Sequence, residues 1–325
     1  MRVLVVGGAG YIGSVTVDQL VAAGEDVTVL DSLVSGHAEA INADAEFVHI
    51  DVRDENGLAR LFAAHNFDAV INYGGYIQAG ESVRQPGRYF ANNVGGTITL
   101  LNAMVTYGVT RFVFSSSAAV YGEPEETPIR EDAPVRPVNP YGESKAIVER
   151  MLPWYDHTHG LKFVALRYFN AAGASEIRGE DHRPETHLIP ILLEAAEGRR
   201  EFVPLFGTDY PTPDGTCVRD YVHVSDLAEA HRLALARTEK DSGIYNLGSG
   251  KGFSNREVIQ AARRVTGVEI AVHEEERRPG DPAVLVASND KARAELGWEI
   301  RYADVEEIMG SAWRWHEAHP EGYTG

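Results

Sequence analysis

Tyr141-Gly142-Glu143-Ser144-Lys145 sets a phenol and an ammonium four residues apart. On a helix that spacing puts both side chains on one face, within reach of a common point. An ammonium beside a phenol favours the phenolate and draws its pKa down from about 10 toward neutrality. Such a phenolate is a general base for a hydroxyl whose carbon is losing a hydride. Tyr-x-x-x-Lys alone is a common pattern of amphipathic helix surfaces. Here it lies downstream of Ser115-Ser116-Ser117, at the end of an apolar run. A Ser117 hydroxyl can hydrogen-bond the reacting oxygen and guide the proton.

A second constellation says where the hydride goes. Gly7-Gly8-Ala9-Gly10-Tyr11-Ile12-Gly13 follows the first apolar run and opens a helical stretch. Glycines there let the backbone approach a pyrophosphate, whose charge rests on free N–H groups at the positive end of the helix. Asp31 closes the second apolar run, where a carboxylate accepts from a ribose 2′-hydroxyl and repels a 2′-phosphate. The cofactor expected is therefore NAD rather than NADP. Asp51, after the third run, reads equally as an adenine contact and as a loop or N-cap acid.

These residues need strands and helices to hold them. Val3–Val6, Val27–Leu30, Phe47–Ile50, Ala69–Asn72, Phe112–Ser115 and Phe163–Tyr168 read as strands apolar on both faces. Amphipathic stretches such as Ser14–Ala23 and Asn56–Ala64 separate them. That alternation predicts an α/β fold, a Rossmann-type doubly wound parallel sheet covered on both sides. After about residue 170, loops rich in glycine and proline appear at Gly173–Glu185 and Gly207–Gly215. Residues 1–170 are expected to form the dinucleotide-binding domain, with 218–248 returning to it. Residues 171–217 and 249–325 are expected to form a smaller, discontinuous substrate lobe. Pro153 should kink or end the helix that carries Tyr141, about a turn beyond Lys145.

Composition excludes several classes. The 325-residue chain has 48 acidic and 30 basic side chains, a net charge of −18, the opposite of what nucleic-acid binding requires. No run approaches the roughly 20 apolar residues of a membrane helix. The apolar start, Met1–Val6, is too short for a signal peptide. A cytoplasmic protein with no membrane contact is expected. Cys217 is the only cysteine, so no intrachain disulfide forms, and it reads as a packed thiol. The histidines show no ligand spacing, so no metal site is expected. Trp313, Trp315 and His316 read as packing residues.

The motifs also occur in a specific order: Gly7–Gly13, Asp31, Asn92-Asn93-Val94, Ser115–Gly122 (SSSAAVYG), Pro140–Lys145 (PYGESK) and Leu166–Gly173 (LRYFNAAG). Gly215–Val224 (GTCVRDYVHV), Tyr245–Gly250 (YNLGSG) and Arg277–Ala283 continue it. Across essentially the whole chain this resembles the UDP-glucose/UDP-galactose 4-epimerases, which are extended short-chain dehydrogenases. The resemblance implies reversible C4 epimerisation of a UDP-hexose through a 4-keto intermediate, with Tyr141 as base and bound NAD as transient hydride acceptor. It implies Ser117, Tyr141 and Lys145 as the catalytic triad. Cofactor positions implied besides Gly7, Gly10, Tyr11, Ile12, Gly13 and Asp31 are Asp51, Val52, Tyr73, Asn92, Tyr168 and the neighbouring Phe169. For the UDP-sugar it implies Asn170, His187, Leu188, Phe206, Arg219, Arg278 and Asp281. Arg219 and Arg278 suit phosphates and Asp281 suits ribose hydroxyls. His187 reads equally as a packed or N-capping residue.

Leu285 falls at the family's substrate gate and is intermediate in bulk, which points to some acceptance of N-acetyl sugars. Val6, Val15 and Asn72-Tyr73-Gly74-Gly75 depart from the family pattern around the dinucleotide turn, so NAD retention is the property they bear on. Rival readings are a 4-epimerase of another UDP-sugar (N-acetylhexosamine, uronate or pentose) and a non-catalytic NAD-binding sensor. A 4,6-dehydratase is disfavoured because Ala118-Ala119, not Asp-Glu, follow Ser117. The family's homodimer implies pairing near Gly95–Tyr107 and Ser144–Trp154.

Overall fold

The computed structural model describes residues 1–278 and 280–323. Seven strands form one all-parallel sheet: β1 (Arg2–Val6), β2 (Asp26–Asp31), β3 (Glu46–His49), β4 (Ala69–Asn72), β5 (Arg111–Ser117), β6 (Lys162–Tyr168) and β10 (Gly243–Leu247). Their spatial order is β3-β2-β1-β4-β5-β6-β10. Successive side chains of a strand point to opposite faces. In β1, Val3 and Val5 join Val17, Leu20, Leu227 and Ala230 on one side. Leu4 and Val6 join Leu58, Leu101 and Val148 on the other. Both faces are dry, which is why the strands read as unbroken apolar runs. The chain winds outward from β1 in both directions, so β1 and β4 flank a switch point where a crevice opens beyond the strand ends.

The helix Pro140–His159 carries Tyr141 and Lys145. Its start is well specified: Asn139 accepts from the Gly142 N–H at 2.9 Å, and Pro140 occupies the first turn. Gly160, at φ 67°, ends it in the left-handed region. Pro153 does not end it: the helix runs on to His159. One lost backbone hydrogen bond, costing about 3 kcal/mol with its clash, is offset by contacts on either side. Leu152 is fully buried, Tyr155 donates to Asn102, and Asp156 accepts from Lys162 and Ser242.

The remaining strands, β7 (Asn170–Ala172), β8 (Val203–Phe206), β9 (Val218–His223), β11 (Gly252–Ser254), β12 (Val272–Glu275) and β13 (Val284–Leu285), build two small sheets. They pack with the helices Leu188–Ala196, Asn255–Thr266 and Val305–Ala318 around a separate apolar cluster. The stretch expected to return to the first domain divides. Strand β9 pairs with β7, β11 and β13 in the smaller lobe, whereas the helix Val224–Arg237 and β10 join the large sheet. Cys217 is buried and free, and Trp315 is buried, as packing residues are. Among the described residues, no helix is long and apolar enough to cross a membrane.

Burial holds His223 and His231 uncharged, with pKa values lowered to about 4. Between that value and the ordinary 6.5, the unfolded chain binds protons that the folded chain refuses. Their contribution is therefore fully present above pH 6.5 and is lost as pH falls through about 4. Asp220 acts with the opposite sign, because burial raises its pKa from 3.8 to about 6. A difference measurement separates the two effects. Between pH 6.5 and 4, urea unfolding of His231→Gln should lose less stability than the wild type, by up to about 3 kcal/mol. Parallel curves for the two proteins would contradict the assignment.

Candidate active site

The crevice at the switch point is a cleft of 930 Å³. Its floor is the turn between β1 and the helix Tyr11–Ala22. Gly7 has φ +78°, a conformation side chains rarely adopt, and a Cβ there would meet the Tyr73–Gly74 backbone at 2.8–2.9 Å. At Gly13 a Cβ would sit 2.2 Å from the Gly7 carbonyl oxygen. Glycine thus lets the first helical turn close directly onto the loop. Gly10 is the N-cap and supplies no side-chain acceptor, leaving the first N–H groups free to meet an anion. Gly7, Gly10, Ile12 and Gly13 all line the cleft. Tyr11 lines it too, and its hydroxyl donates across to the Gly173 carbonyl. This geometry fits a dinucleotide pyrophosphate.

Asp31 stands at the end of β2, its carboxylate accepting from the Ala9 N–H at 3.0 Å and the Leu33 N–H at 2.8 Å. Burial raises its pKa against those hydrogen bonds. Asp51 also lines the cleft, but it is ion-paired with Arg53 at 2.5 Å and held low by it. It is not an N-cap, a role taken by Asp54. Val52, Tyr73 and Asn92 line the same cleft. The unusual residues near the turn are absorbed by packing. Val15 packs against Val224 and Ala228, and the Asn72 side chain accepts from the Gly74 N–H and donates to Thr97. Tyr73 shares a 2.6 Å hydrogen bond with Thr16.

Ser117 ends β5, and Tyr141 stands in the first turn of the long helix beside it. Both face the cleft. Lys145, one turn on, is buried behind them and donates to the Ser115 carbonyl at 2.7 Å. Its ammonium lies 5.9 Å from the centre of the Tyr141 ring. Burial lowers its pKa to about 8, with Glu149 opposing. The expected depression of the phenol is not supplied by this lysine. Burial raises Tyr141 above the ordinary value of 10.0, and only the Ser117 side chain pulls the other way. Tyr168 and Phe169 complete this wall, and burial raises the Tyr168 phenol as well.

Opposite lie Asn170, His187, Leu188, Arg219, Arg278 and Asp281, all on the cleft surface. Arg219 and Asp281 are bonded to each other at 2.6 Å, so the pair presents one shared polar edge. Arg278 lies over the Phe206 ring at 3.9 Å. Phe206 thus supports the cleft from behind an arginine and does not line it. Leu285 does not line it either; on β13 it packs against the cluster of Ala118, Tyr121 and Phe169. His187 is the N-cap of the helix Leu188–Ala196, yet its ring turns to Glu180 and Glu185.

Sequence reasoning passed over several residues. Asn93, in the π-helical turn Phe90–Gly96, accepts from the Tyr76 N–H and donates to the Tyr76 carbonyl and to Ser144, which donates to the Tyr141 carbonyl. It ties the cofactor loop to the catalytic helix, and its sequence signal was its place in the motif Asn92-Asn93-Val94, which gave it no role of its own. Behind Lys145, Glu149 takes a buried ion pair from Arg167 at 2.6 Å and a hydrogen bond from Ser116. Glu180, His182 and Glu185 gather round His187, so these histidines are not scattered.

A doubly wound parallel sheet with a glycine turn at its switch point and a Ser-Tyr-Lys set beside it defines a nicotinamide-dinucleotide-dependent enzyme of Rossmann type. The chain belongs to the NAD dependent epimerase/dehydratase family, which it matches over residues 3–248. It is 52% identical to a UDP-glucose 4-epimerase of Lacticaseibacillus casei, over 99% of each chain. A crystal structure of UDP-glucose 4-epimerase, 47% identical, superposes with a TM-score of 0.97 over 100% of both chains. Another, from Bifidobacterium longum in complex with NAD+ and UDP, is 38% identical with a TM-score of 0.94, covering 99% of this chain and 100% of that one.

The 2.2 Å approach at Gly13 carries a direct consequence. Gly13→Ala should push the helix off the turn, destabilise the protein by about 1–3 kcal/mol, and lower NAD retention at least tenfold. NAD released on denaturation and quantified by chromatography checks this; retention equal to wild type would contradict it.

Proposed function

We propose that this chain catalyses the reversible C4 epimerisation of a UDP-hexose, UDP-galactose to UDP-glucose, with NAD held in the cleft. The observation that carries the reading is that Ser117 and Tyr141 line the same cleft as the glycine turn, with Lys145 fixed behind them. The full-length likeness to UDP-glucose 4-epimerases supports it.

In this reading Tyr141 removes the proton from the sugar 4-hydroxyl, and Ser117 bonds the same oxygen and steers the transfer. Bound NAD supplies the hydride acceptor for C4, returns the hydride to the opposite face, and adds positive charge beside the phenol. Lys145, fixed on the Ser115 carbonyl, holds its ammonium 5.9 Å from the centre of the Tyr141 ring, and the charge that favours the anion comes with the bound cofactor. The turn from Gly7 to Gly13 holds the pyrophosphate, Asp31 the adenosine ribose, and Asp51, Val52, Tyr73, Asn92 and Tyr168 the rest of the cofactor. Asn170, His187, Leu188, Arg219, Arg278 and Asp281 grip the nucleotide, with Phe206 as backing. That grip leaves the hexose free to turn its other face. The division into residues 1–170 with 224–248, and 171–223 with 249–325, separates most of the cofactor contacts from most of the substrate contacts.

Leu285 packs behind Phe169, which lines the cleft, and in this reading it bears on the sugar site through that ring, with some acceptance of an N-acetyl sugar. The exposed Trp154, on the helix beyond Lys145, supports a homodimer formed through this helix and Thr97–Thr106. A cytoplasmic location suits the reaction.

The test is conversion of UDP-galactose to UDP-glucose by purified protein, with and without added NAD, followed by chromatography. Turnover without added NAD is expected, and net NADH should not accumulate. Tyr141→Phe should lower kcat by at least about 100-fold with unchanged circular dichroism. An unimpaired Tyr141→Phe protein would remove the assignment, and no turnover of UDP-N-acetylglucosamine would remove that of Leu285.

A further inference from the structure

Four side chains of one short loop converge on a single point. Glu180, His182, Glu185 and His187 each offer one ligand atom, and all four atoms lie within 4.8 Å of one another. His187 Nδ1 is 3.0 Å from Glu180 Oε1 and 2.9 Å from Glu185 Oε1. His182 Nδ1 is 3.0 Å from the same Glu180 oxygen and 3.6 Å from Glu185 Oε2. An imidazole nitrogen carries one proton and aims it in one direction. Hydrogen bonding therefore accounts for one carboxylate at each nitrogen, not for both. A tetrahedral ion with bonds of about 2.0–2.2 Å has ligand–ligand edges of roughly 3.3–3.6 Å. The contacts of His182 with Glu180 and of His187 with both carboxylates, at 2.9–3.0 Å, are a few tenths of an ångström shorter than such an edge, a gap that small side-chain rotations close.

Charge and burial agree with the geometry. The side chains of Glu180 and Glu185 are 7% and 3% exposed, a costly place for two carboxylates unless positive charge faces them, from an imidazolium or a bound cation. With neutral imidazoles the set carries two negative charges, which a divalent ion balances. Imidazole with carboxylate suits zinc among the divalent transition metals, and four protein ligands make a closed, structural site.

We propose that Glu180, His182, Glu185 and His187 bind a zinc ion that pins this loop across the cleft. The loop's other contacts explain what the ion holds in place. The His182 ring meets the Tyr11 ring edge-on at 6.4 Å, and the Pro184 carbonyl accepts from Gln78 at 3.3 Å. The Asp181 carbonyl meets His37 at 2.9 Å. Immediately after His187 the chain enters the helix Leu188–Ala196 of the smaller lobe. The ion thus stiffens the strap where that lobe crosses the glycine turn. This inference stands apart from the catalytic reading, because its readout is metal and not turnover.

The experiment is equilibrium dialysis of the untagged full-length protein against zinc sulfate, with metal quantified by plasma mass spectrometry and the zinc edge read by X-ray absorption. One zinc per chain is expected, bound by nitrogen and oxygen only, with two imidazoles visible in the spectrum. His182→Gln and Glu185→Gln should each weaken binding at least about tenfold, with folding checked by circular dichroism. If a variant fails to fold, the wild-type spectrum decides alone. Non-saturating zinc uptake by the wild type, a spectrum without two imidazoles, or zinc retained by folded His182→Gln/Glu185→Gln overturns the site.

Discussion

A parallel sheet that is dry on both faces can keep its polar chemistry in only one place, beyond the ends of its strands. Everything in this cleft follows from that restriction. Asp31, Asn72, Ser117 and Tyr168 are each the last residue of a strand of the large sheet. Parallel pairing sets all four at the same edge, and the two directions of winding open the crevice between them. The glycine turn then lowers the first helix onto that edge, so the free N–H groups face the same space as the Tyr141 phenol. The second lobe adds the opposite wall without altering the sheet.

Within this frame the electrostatics are set by burial before they are set by charge. Burial raises Tyr141 and lowers Lys145, so the protein alone disfavours both ions of the pair. Glu149 keeps the lysine from falling further, and Arg167 pairs with Glu149 at 2.6 Å in a nearly dry site. Arg167 also donates to Tyr121, which donates to Asn246 on β10. A chain of polar contacts therefore reaches from the edge strand of the sheet to the ammonium. Its expense in desolvation is justified only if the position of that ammonium matters.

The fold was legible in the sequence because apolar runs and glycine turns are local signals with one dominant physical cause. The cofactor turn and the Tyr141–Lys145 pair were legible for the same reason: each is a contiguous segment whose spacing is its geometry. What the sequence hid depends on contacts between distant segments. Phe206 and Leu285 matched family positions, but the structure sets the first under Arg278 and packs the second against Phe169. Pro153 is a strong local signal that long-range anchoring by Asp156 and Tyr155 overrides. The Glu180–His187 cluster lies in a loop, where no helical or strand period announces which side chains converge.

The last strand of the large sheet is made late. Strand β10 pairs with β6, Gly243 opposite Val164, only after the chain has built β8 and β9 in the other lobe. A nascent chain that has emerged through residue 168 holds six of the seven strands and an open edge. That edge carries Phe163, Val164, Ala165 and Leu166, with backbone groups unpaired, until some eighty residues more have been synthesised. The same interleaving that joins the two walls of the cleft leaves the newborn protein, for several seconds, with an adhesive flank.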